Sequence, residues 1–226
     1  GDPEFDSVAL DVLLSEPYSA RRRSLIHATA STELQPGDIG CGIPFYATSD
    51  VIDDNRRALN MNHVIGDKLL SDKSHFNDTT HLDSVDHLGN MVACTPSGGW
   101  FPSSPVIRGL GFPLGTRGQM FYLNPNRPNA LEPNKRPRAT LTPSLVTQSG
   151  KPVMVFGTPG GDSQDQWSLQ FFLNHIVFGM DLQESLDAPT VHSNHFPSSF
   201  YPRIGHRGQA MAEECIDNNV IQALEQ

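Results

Sequence analysis

Several features that define common protein classes are scarce in this sequence. It has only 3 cysteines in 226 residues, and Cys41, Cys94 and Cys215 lie far apart without CxxC spacing. This pattern indicates neither a disulfide framework nor a zinc ribbon, so we expect buried free thiols. The 16 Lys and Arg residues are outnumbered by 25 Asp and Glu, which gives a formal net charge of -9. Because non-specific binding to nucleic acid or anionic membrane depends on basic residues, both partners are disfavoured.

Long apolar runs and several signature motifs are also missing. No run reaches the roughly 18 residues that a membrane-spanning helix needs. The sequence contains no GxSxG elbow, no HExxH zinc motif and no dinucleotide fingerprint. Its 9 histidines lack helical metal-ligand spacing, which disfavours a metal site. It starts Gly1-Asp2-Pro3, without an initiator Met or a signal-peptide pattern, so we expect it to begin within a longer protein and predict no compartment.

The composition that is present predicts one sizeable core with many short elements. Hydrophobic residues make up 37% of the chain, and 19 Gly with 18 Pro favour tight loops. Alternating polarity and turn residues predict two hairpins, with strands at 79–86 and 91–95, and at 141–146 and 152–156. The second strand of the second hairpin is nearly all apolar, which is typical of a central strand.

Helical spacing and capping residues predict the remaining elements. Helices are expected at 6–15, at 17–26 and at 163–178, where Gly179 ends the last of these. Asp181 and Glu184 form a capping box for a helix at 182–187. A further strand is expected at 119–123 and a last helix from about residue 209 to the end.

The glycine pair Gly160-Gly161 lies between the apolar strand and the 163–178 helix. Successive backbone N–H groups at the start of a helix can bind negative charge, and glycine lets a substrate come close to the backbone. The turn is therefore a tight structural turn, a phosphate-binding loop or an oxyanion hole. A phosphate loop would have the pattern GxxxxGK[ST], which this segment lacks, so the oxyanion hole is the favoured functional interpretation.

Thr79 stands at the head of the first predicted strand, after Asp78. A threonine hydroxyl is a weak nucleophile that needs a base. If the chain is cleaved between Asp78 and Thr79, the freed α-amine, with a pKa of about 7.7–8.0, supplies that base. Thr-Thr-His is also common strand sequence, so the motif alone does not decide between the two interpretations.

Five short motifs occur in the order and spacing found in one enzyme family. They are Asp78-Thr79-Thr80-His81, Asp86-His87-Leu88-Gly89-Asn90, Ser97-Gly98-Gly99, Pro133-Asn134-Lys135-Arg136-Pro137 and Thr158-Pro159-Gly160-Gly161. In these motifs the chain resembles the γ-glutamyltranspeptidase family of N-terminal-nucleophile hydrolases, and the resemblance covers essentially its whole length. The residues within the motifs are more similar to the divergent cephalosporin-acylase-like branch. The resemblance implies an α/β fold, a four-layer αββα sandwich that is present only in part.

The resemblance also implies a subunit division and a set of catalytic roles. Residues 1–78 would be the C-terminal part of a large subunit, and residues 79–226 a small subunit that lacks its last segment. Self-cleavage between Asp78 and Thr79 would free Thr79 as the nucleophile. Gly160 and Gly161 would bind the oxyanion, and Ser97 would assist at the nucleophile's amine. No metal or organic cofactor is implied.

The residues that correspond to the family's substrate contacts depart from its usual pattern. Gly99 and Tyr122 stand where typical members have Asn and Asp, the paired-serine position reads Ala139-Thr140, and Gln119 is retained. We expect Gln119, Tyr122 and Thr140 to contact the substrate. Because Tyr cannot pair with a substrate ammonium as Asp does, strict glutathione specificity is not expected.

Three functions follow from these observations. The leading hypothesis is an autoprocessed threonine amidohydrolase or acyltransferase that acts on γ-glutamyl or related amide bonds, in the manner of glutathione hydrolase. The second is an acylase for amides of other small molecules, based on Gly99 and Tyr122. The third is a non-catalytic fragment or binding module. The expected partners are a small-molecule amide and the remainder of the large subunit.

Overall fold

The computed structural model describes residues 2–40, 79–99, 104–200 and 203–224. The chain divides into two compact units. The first comprises Gly1–His75, Arg117–Ala139 and Asn194–Gly208, and the second comprises Phe76–Thr116, Thr140–Ser193 and Gln209–Gln226. The expected subunit division after residue 78 concerns a backbone cleavage and stays a prediction. Asp78 and Cys41 lie outside the described residues.

Two short helices open the first unit, α1 (Leu10–Leu13) and α2 (Glu16–Arg23). The hydroxyl of Ser15 caps α2 by accepting the N–H of Tyr18 at 3.3 Å, and Pro17 lies in its first turn. The helix expected at 6–15 forms only the single turn of α1. None of the residues of α1 is buried, so little packing is available to extend it.

A buried carboxylate fixes the loop at 124–137 in the first unit. Asp2 is 3% exposed and accepts three hydrogen bonds from Arg136, from its backbone N–H at 2.8 Å, Nε at 3.2 Å and Nη2 at 2.9 Å. These bonds to Arg136 hold the pKa of Asp2 well below its usual range. In return the carboxylate raises the pKa of the Arg136 guanidinium.

The prediction of a strand at 119–123 was wrong. Thr116–Met120 forms a 3₁₀ helix, and Tyr122 makes only an isolated bridge with Ala130. In place of a partner strand, the loop provides a hydrogen-bond donor: the side chain of Asn129 donates to the carbonyl of Met120 at 2.8 Å. Met120 and Ala130 are each 2% exposed and lie in the core of this unit.

Two antiparallel hairpins confirm the predictions for the second unit. The first pairs β1 (Leu82–Val85) with β2 (Met91–Cys94), and the second pairs β3 (Ser144–Gln148) with β4 (Lys151–Phe156). The second hairpin turns at Ser149 and Gly150, both with positive φ (52° and 78°), which is the geometry of a tight two-residue turn. Within the described part of the chain, β4 pairs only with β3, so its expected central position is not observed.

The helices that follow β4 also match the predicted spacing. Helix α3 (Gln164–Ile176) follows a short 3₁₀ turn, and Gly179 has a φ of 73° just beyond it. The ring of Phe156 on β4 packs against Phe171 and Phe172 of α3, with centroid distances of 5.2 and 6.0 Å. The capping box of Asp181 and Glu184 starts α4 (Leu182–Asp187) as predicted.

The C-terminal region contains three short elements instead of one helix. Strand β5 (Val191–Ser193) pairs with β6 (Ala210–Ala212), and α5 (Asn218–Leu224) follows. The helix expected from about residue 209 was therefore wrong over its first part, where pairing with β5 overrides local propensity. Cys94 and Cys215 are free thiols as expected but are exposed rather than buried. Across the described residues, no helix is long and apolar enough to cross a membrane.

Candidate active site

Thr79 and Ser97 face each other on an extension of the first hairpin. The two residues form an antiparallel bridge, and their hydroxyl oxygens Oγ1 and Oγ lie 2.6 Å apart. The N–H of Thr80 donates to the carbonyl of Pro96 at 3.1 Å. This bond places Thr79 and Ser97 at a non-hydrogen-bonded position of the ladder, where facing side chains come closest. The hairpin register thus brings together two of the predicted site residues.

The next pair on the same face is His81 with Thr95. The register places His81 opposite Thr95, one step before Leu82 and Cys94. Imidazole Nδ1 lies 2.7 Å from Thr95 Oγ1, and Nε2 lies 2.9 Å from a carboxylate oxygen of Asp83. Because a carboxylate only accepts, Nε2 carries the proton, and in the neutral ring the Thr95 hydroxyl then donates to Nδ1.

The glycine turn after β4 has a backbone that only glycine adopts easily. Gly160 has a φ of 138° and Gly161 a φ of 56°. A Cβ on Gly160 would lie 2.2 Å from the indole of Trp167. Each of the two glycines carries one backbone N–H donor. Both N–H groups precede α3, whose N-terminus favours negative charge. The turn is therefore suited to binding an oxyanion.

A direct contact links the hairpin to this turn. The ring of His81 lies against Gly157, where an added Cβ would come within 2.4 Å of ring carbon Cε1. The side chain of His81 is 9% exposed. The imidazole therefore occupies the space that a side chain at position 157 would need, at the start of the loop that leads to Gly160 and Gly161.

Two further glycine and threonine positions of the second unit bear on substrate contacts. Gly99 has a φ of 132°, and a Cβ there would lie 3.2 Å from the carbonyl oxygen of Leu114. The backbone of this loop is thus strained for any residue with a Cβ, and a side chain at position 99 would be in tight contact with Leu114. The hydroxyl of Thr140 is buried and has no hydrogen-bond partner in the described structure. Its role as a substrate contact stays a prediction.

The other two expected substrate contacts, Gln119 and Tyr122, belong to the first unit. Two guanidinium groups lie close to the Tyr122 ring, with Arg127 at 4.1 Å and Arg203 at 4.3 Å from its centroid. Arg203 also donates to the backbone carbonyls of Gln119 at 3.1 Å and Phe121 at 3.0 Å. The surroundings of Tyr122 are therefore cationic, unlike those expected for a residue that binds an ammonium group.

A cavity of about 520 Å³ in the second unit is lined in part by Gly157 and Thr158, at the start of the loop that leads to the glycine turn. Most of its lining is apolar and comes from β4, α3 and α4, with Asp83 and Glu213 as its acidic residues. Sequence patterns gave no signal for this cavity. Among the described residues, no group of three or more His, Cys, Asp or Glu side chains could hold a metal ion.

The contacts of Asp83 and Thr95 with His81 were also missed in the sequence. The signal was present, since a hairpin that turns at His87 to Asn90 places His81 opposite Thr95. Asp83 follows His81 by two residues and so shares its face of the strand. Reading the register outward from the turn would have identified all three residues.

Comparison with known proteins identifies the family of this chain. The gamma-glutamyltranspeptidase family model matches residues 1–226. A glutathione hydrolase proenzyme of Pseudomonas sp. strain A14 is 32% identical over 213 residues, which make up 88% of this chain and 31% of that protein. The chain thus spans about a third of this relative's length.

Solved structures confirm the predicted fold class. A structure of LmbA2991 with a threonine-to-alanine substitution is 43% identical, with a TM-score of 0.79, over 100% of this chain and 37% of that one. The cephalosporin acylase from Bacillus halodurans is 27% identical, with a TM-score of 0.66, over 99% of this chain and 32% of that one. The chain forms part of the N-terminal-nucleophile hydrolase fold that these proteins share. It therefore belongs to the gamma-glutamyltranspeptidase family, with likeness to its acylase-like branch.

Proposed function

We propose that Thr79 is the nucleophile of a self-processing amidohydrolase or acyltransferase. The observation that supports this most directly is the 2.6 Å contact between the hydroxyls of Thr79 and Ser97. Such a contact orients a nucleophilic hydroxyl and gives it a partner that can donate or accept as charge develops. The family contains glutathione hydrolases and acylases, so amide chemistry is the shared reaction class.

Processing begins in the intact precursor. The Thr79 hydroxyl attacks the carbonyl carbon of Asp78, and the C–N bond between the two residues breaks as an ester forms. The nitrogen takes up the hydroxyl proton and becomes the free α-amine of Thr79. Water then hydrolyses the ester, which leaves a carboxylate on Asp78 and restores the Thr79 hydroxyl. Residues 1–78 and 79–226 would thereby belong to separate subunits.

The mature enzyme uses the same hydroxyl on its substrate. The α-amine of Thr79 accepts the hydroxyl proton while Oγ1 attacks the amide carbon, and it then donates a proton to the departing amine. The backbone N–H groups of Gly160 and Gly161 bind the oxyanion of the tetrahedral intermediate. Water releases the acyl group in hydrolysis, and an acceptor amine releases it in transfer. Ser97 keeps the Thr79 hydroxyl and amine in the reactive orientation.

The substrate class is a small-molecule amide, either γ-glutamyl or another acyl group. Gln119, Thr140 and Tyr122 are the proposed substrate contacts. Two observations favour the acylase alternative: Gly99 offers no side chain, and two arginines lie close to the Tyr122 ring. Both weaken recognition of an α-ammonium group. The remainder of the large subunit is the proposed protein partner.

Intact-mass spectrometry of the full-length gene product tests the nucleophile. We expect the wild type to yield a fragment that begins at Thr79 and the Thr79→Ala variant to stay whole. If both stay whole, the non-catalytic alternative replaces this proposal. Turnover of γ-glutamyl anilide against anilides of uncharged and dicarboxylic acyl groups then decides between the hydrolase and acylase alternatives. Efficient γ-glutamyl turnover would contradict the acylase.

A further inference from the structure

We propose that His81 is a positioning residue that sets the nucleophile pair against the oxyanion turn. This inference rests on the proposed function of Thr79. The imidazole uses both ring nitrogens, with Thr95 Oγ1 at 2.7 Å from Nδ1 and Asp83 Oδ1 at 2.9 Å from Nε2. A ring held at both nitrogens has a fixed orientation and tautomer.

The order carboxylate, imidazole and hydroxyl is that of a nucleophilic triad, but Thr95 does not act as a nucleophile. Thr95 is 6% exposed, so a substrate carbonyl has no access to its hydroxyl. The hydroxyl instead anchors the ring across the two strands. The Asp83 side chain, which is 34% exposed, accepts the hydrogen bond of the other ring nitrogen, Nε2.

This anchored ring is adjacent to both parts of the proposed site. Along the strand, His81 lies two residues from Thr79 on the same face, and Thr95 likewise lies two residues from Ser97. Across the site, the ring packs on Gly157, where a Cβ would come within 2.4 Å. The loop from Gly157 leads within three residues to Gly160. The imidazole therefore acts as the spacer between the nucleophile strand and the oxyanion N–H groups.

Such a spacer affects the chemical step more than substrate binding. A misplacement of about 1 Å between nucleophile and carbonyl can lower a rate about 100-fold. We therefore expect changes in kcat and in the rate of self-cleavage, since both reactions use Thr79. The Michaelis constant depends mainly on contacts elsewhere and should change less than about threefold.

The test uses the full-length gene product and substitutions of Asp83. Asp83→Ala removes the acceptor for Nε2–H and should lower kcat per processed molecule about 10-fold. Asp83→Asn retains an acceptor oxygen and should stay within about threefold of wild type, because the tautomer is kept. Ser84→Ala, on the opposite face of β1, is the matched control and should leave kcat unchanged. Intact-mass spectrometry gives the processed fraction used for normalisation.

Two substitutions at the contact itself give an independent measurement. His81→Gln and Gly157→Ala disturb the same contact from opposite sides, so each should lower kcat about 10-fold to 100-fold. The double variant should have a kcat no lower than that of the less active single variant, because both substitutions disturb the same contact. If His81→Gln or Gly157→Ala folds poorly, its melting temperature will be lowered. The comparison of Asp83→Ala with Asp83→Asn then still tests the positioning role.

The outcomes separate this inference from the proposed function. A wild-type protein that neither cleaves itself nor depends on Thr79 would overturn the proposed function. A wild type that does both, with Asp83→Ala and His81→Gln at full kcat per processed molecule, would overturn only the positioning role. A fall in kcat for Asp83→Ala that Asp83→Asn restores would support the role, whereas equal losses in both variants would contradict it.

Discussion

Replacing Gly160 by alanine should destabilise the oxyanion turn in two ways, through its positive φ and through a clash with Trp167, and comparison with a control variant separates the two costs. The φ of 138° at Gly160 is strained for any residue with a Cβ and costs about 1–3 kcal/mol. The added Cβ would also lie 2.2 Å from the indole of Trp167, so that ring must move. Overpacking of this kind costs about 1–3 kcal/mol more. The variant should therefore be less stable by about 2–6 kcal/mol.

Gly89→Ala is the matched control, because Gly89 has a φ of 83° and its Cβ would meet nothing within 4 Å. It should show only the backbone cost. Thermal and denaturant unfolding of the full-length protein measure both variants, and a smaller side chain at Trp167 should restore part of the loss in Gly160→Ala. Equal destabilisation by the two alanines would refute the packing argument.

The same variant tests the oxyanion role. Alanine keeps the backbone N–H, but the strained φ and the clash with Trp167 would move this donor, and a misplacement of about 1 Å can lower a rate about 100-fold. We expect Gly160→Ala to lower kcat by about that factor after correction for the folded fraction, while Gly89→Ala keeps the wild-type kcat. A Gly160→Ala enzyme with unchanged kcat would show that this N–H does not contact the reacting carbonyl.

Three further predictions concern the hairpin and the helix that follows α3. Ser97→Ala should lower kcat and slow self-cleavage, whereas Ser97→Thr, which keeps the hydroxyl, should preserve both; a Ser97→Ala enzyme at full rate, assayed by amide turnover, would contradict the pairing. Hydrogen bonds from Asn90 and the nearby turn amides lower the pKa of Asp86, so its stabilisation is complete above the ordinary carboxyl pKa and is lost as pH falls through the lowered value. The melting temperature of wild type should thus drop more steeply in acid than that of Asp86→Ala, and parallel curves would count against this. Asp181→Ala removes the capping box of α4 and should lower the unfolding free energy by about 1 kcal/mol, as denaturant titration will show.

The two hairpins could be predicted because their signals are local. Alternating polarity marks each strand, and turn residues such as Gly89 and Gly150 mark each reversal. The capping box at Asp181 is equally local, since both of its partners lie within one helical turn. In each case, the residues that fix the structure are neighbours in sequence, so their pattern is enough.

The features that were missed depend on contacts between distant residues. The strand expected at 119–123 is replaced by a 3₁₀ helix and a loop in which Asn129 bonds to Met120. The need for glycine at position 160 comes in part from Trp167, and the need at position 157 comes from His81. The partial match of the C-terminal region has the same cause, because β6 forms only by pairing with β5.

The register of the first hairpin restricts where insertions are tolerated. Six residues lie between Thr79 and Asp86, and six lie between Asn90 and Ser97, so equal strand lengths place Thr79 opposite Ser97. One extra residue in either strand would place Pro96 or Gly98 opposite Thr79, and neither has a hydroxyl. Changes of length in the turn at 87–89 leave this match intact. Natural variants should therefore vary in length at the turn and keep the two strand segments equal.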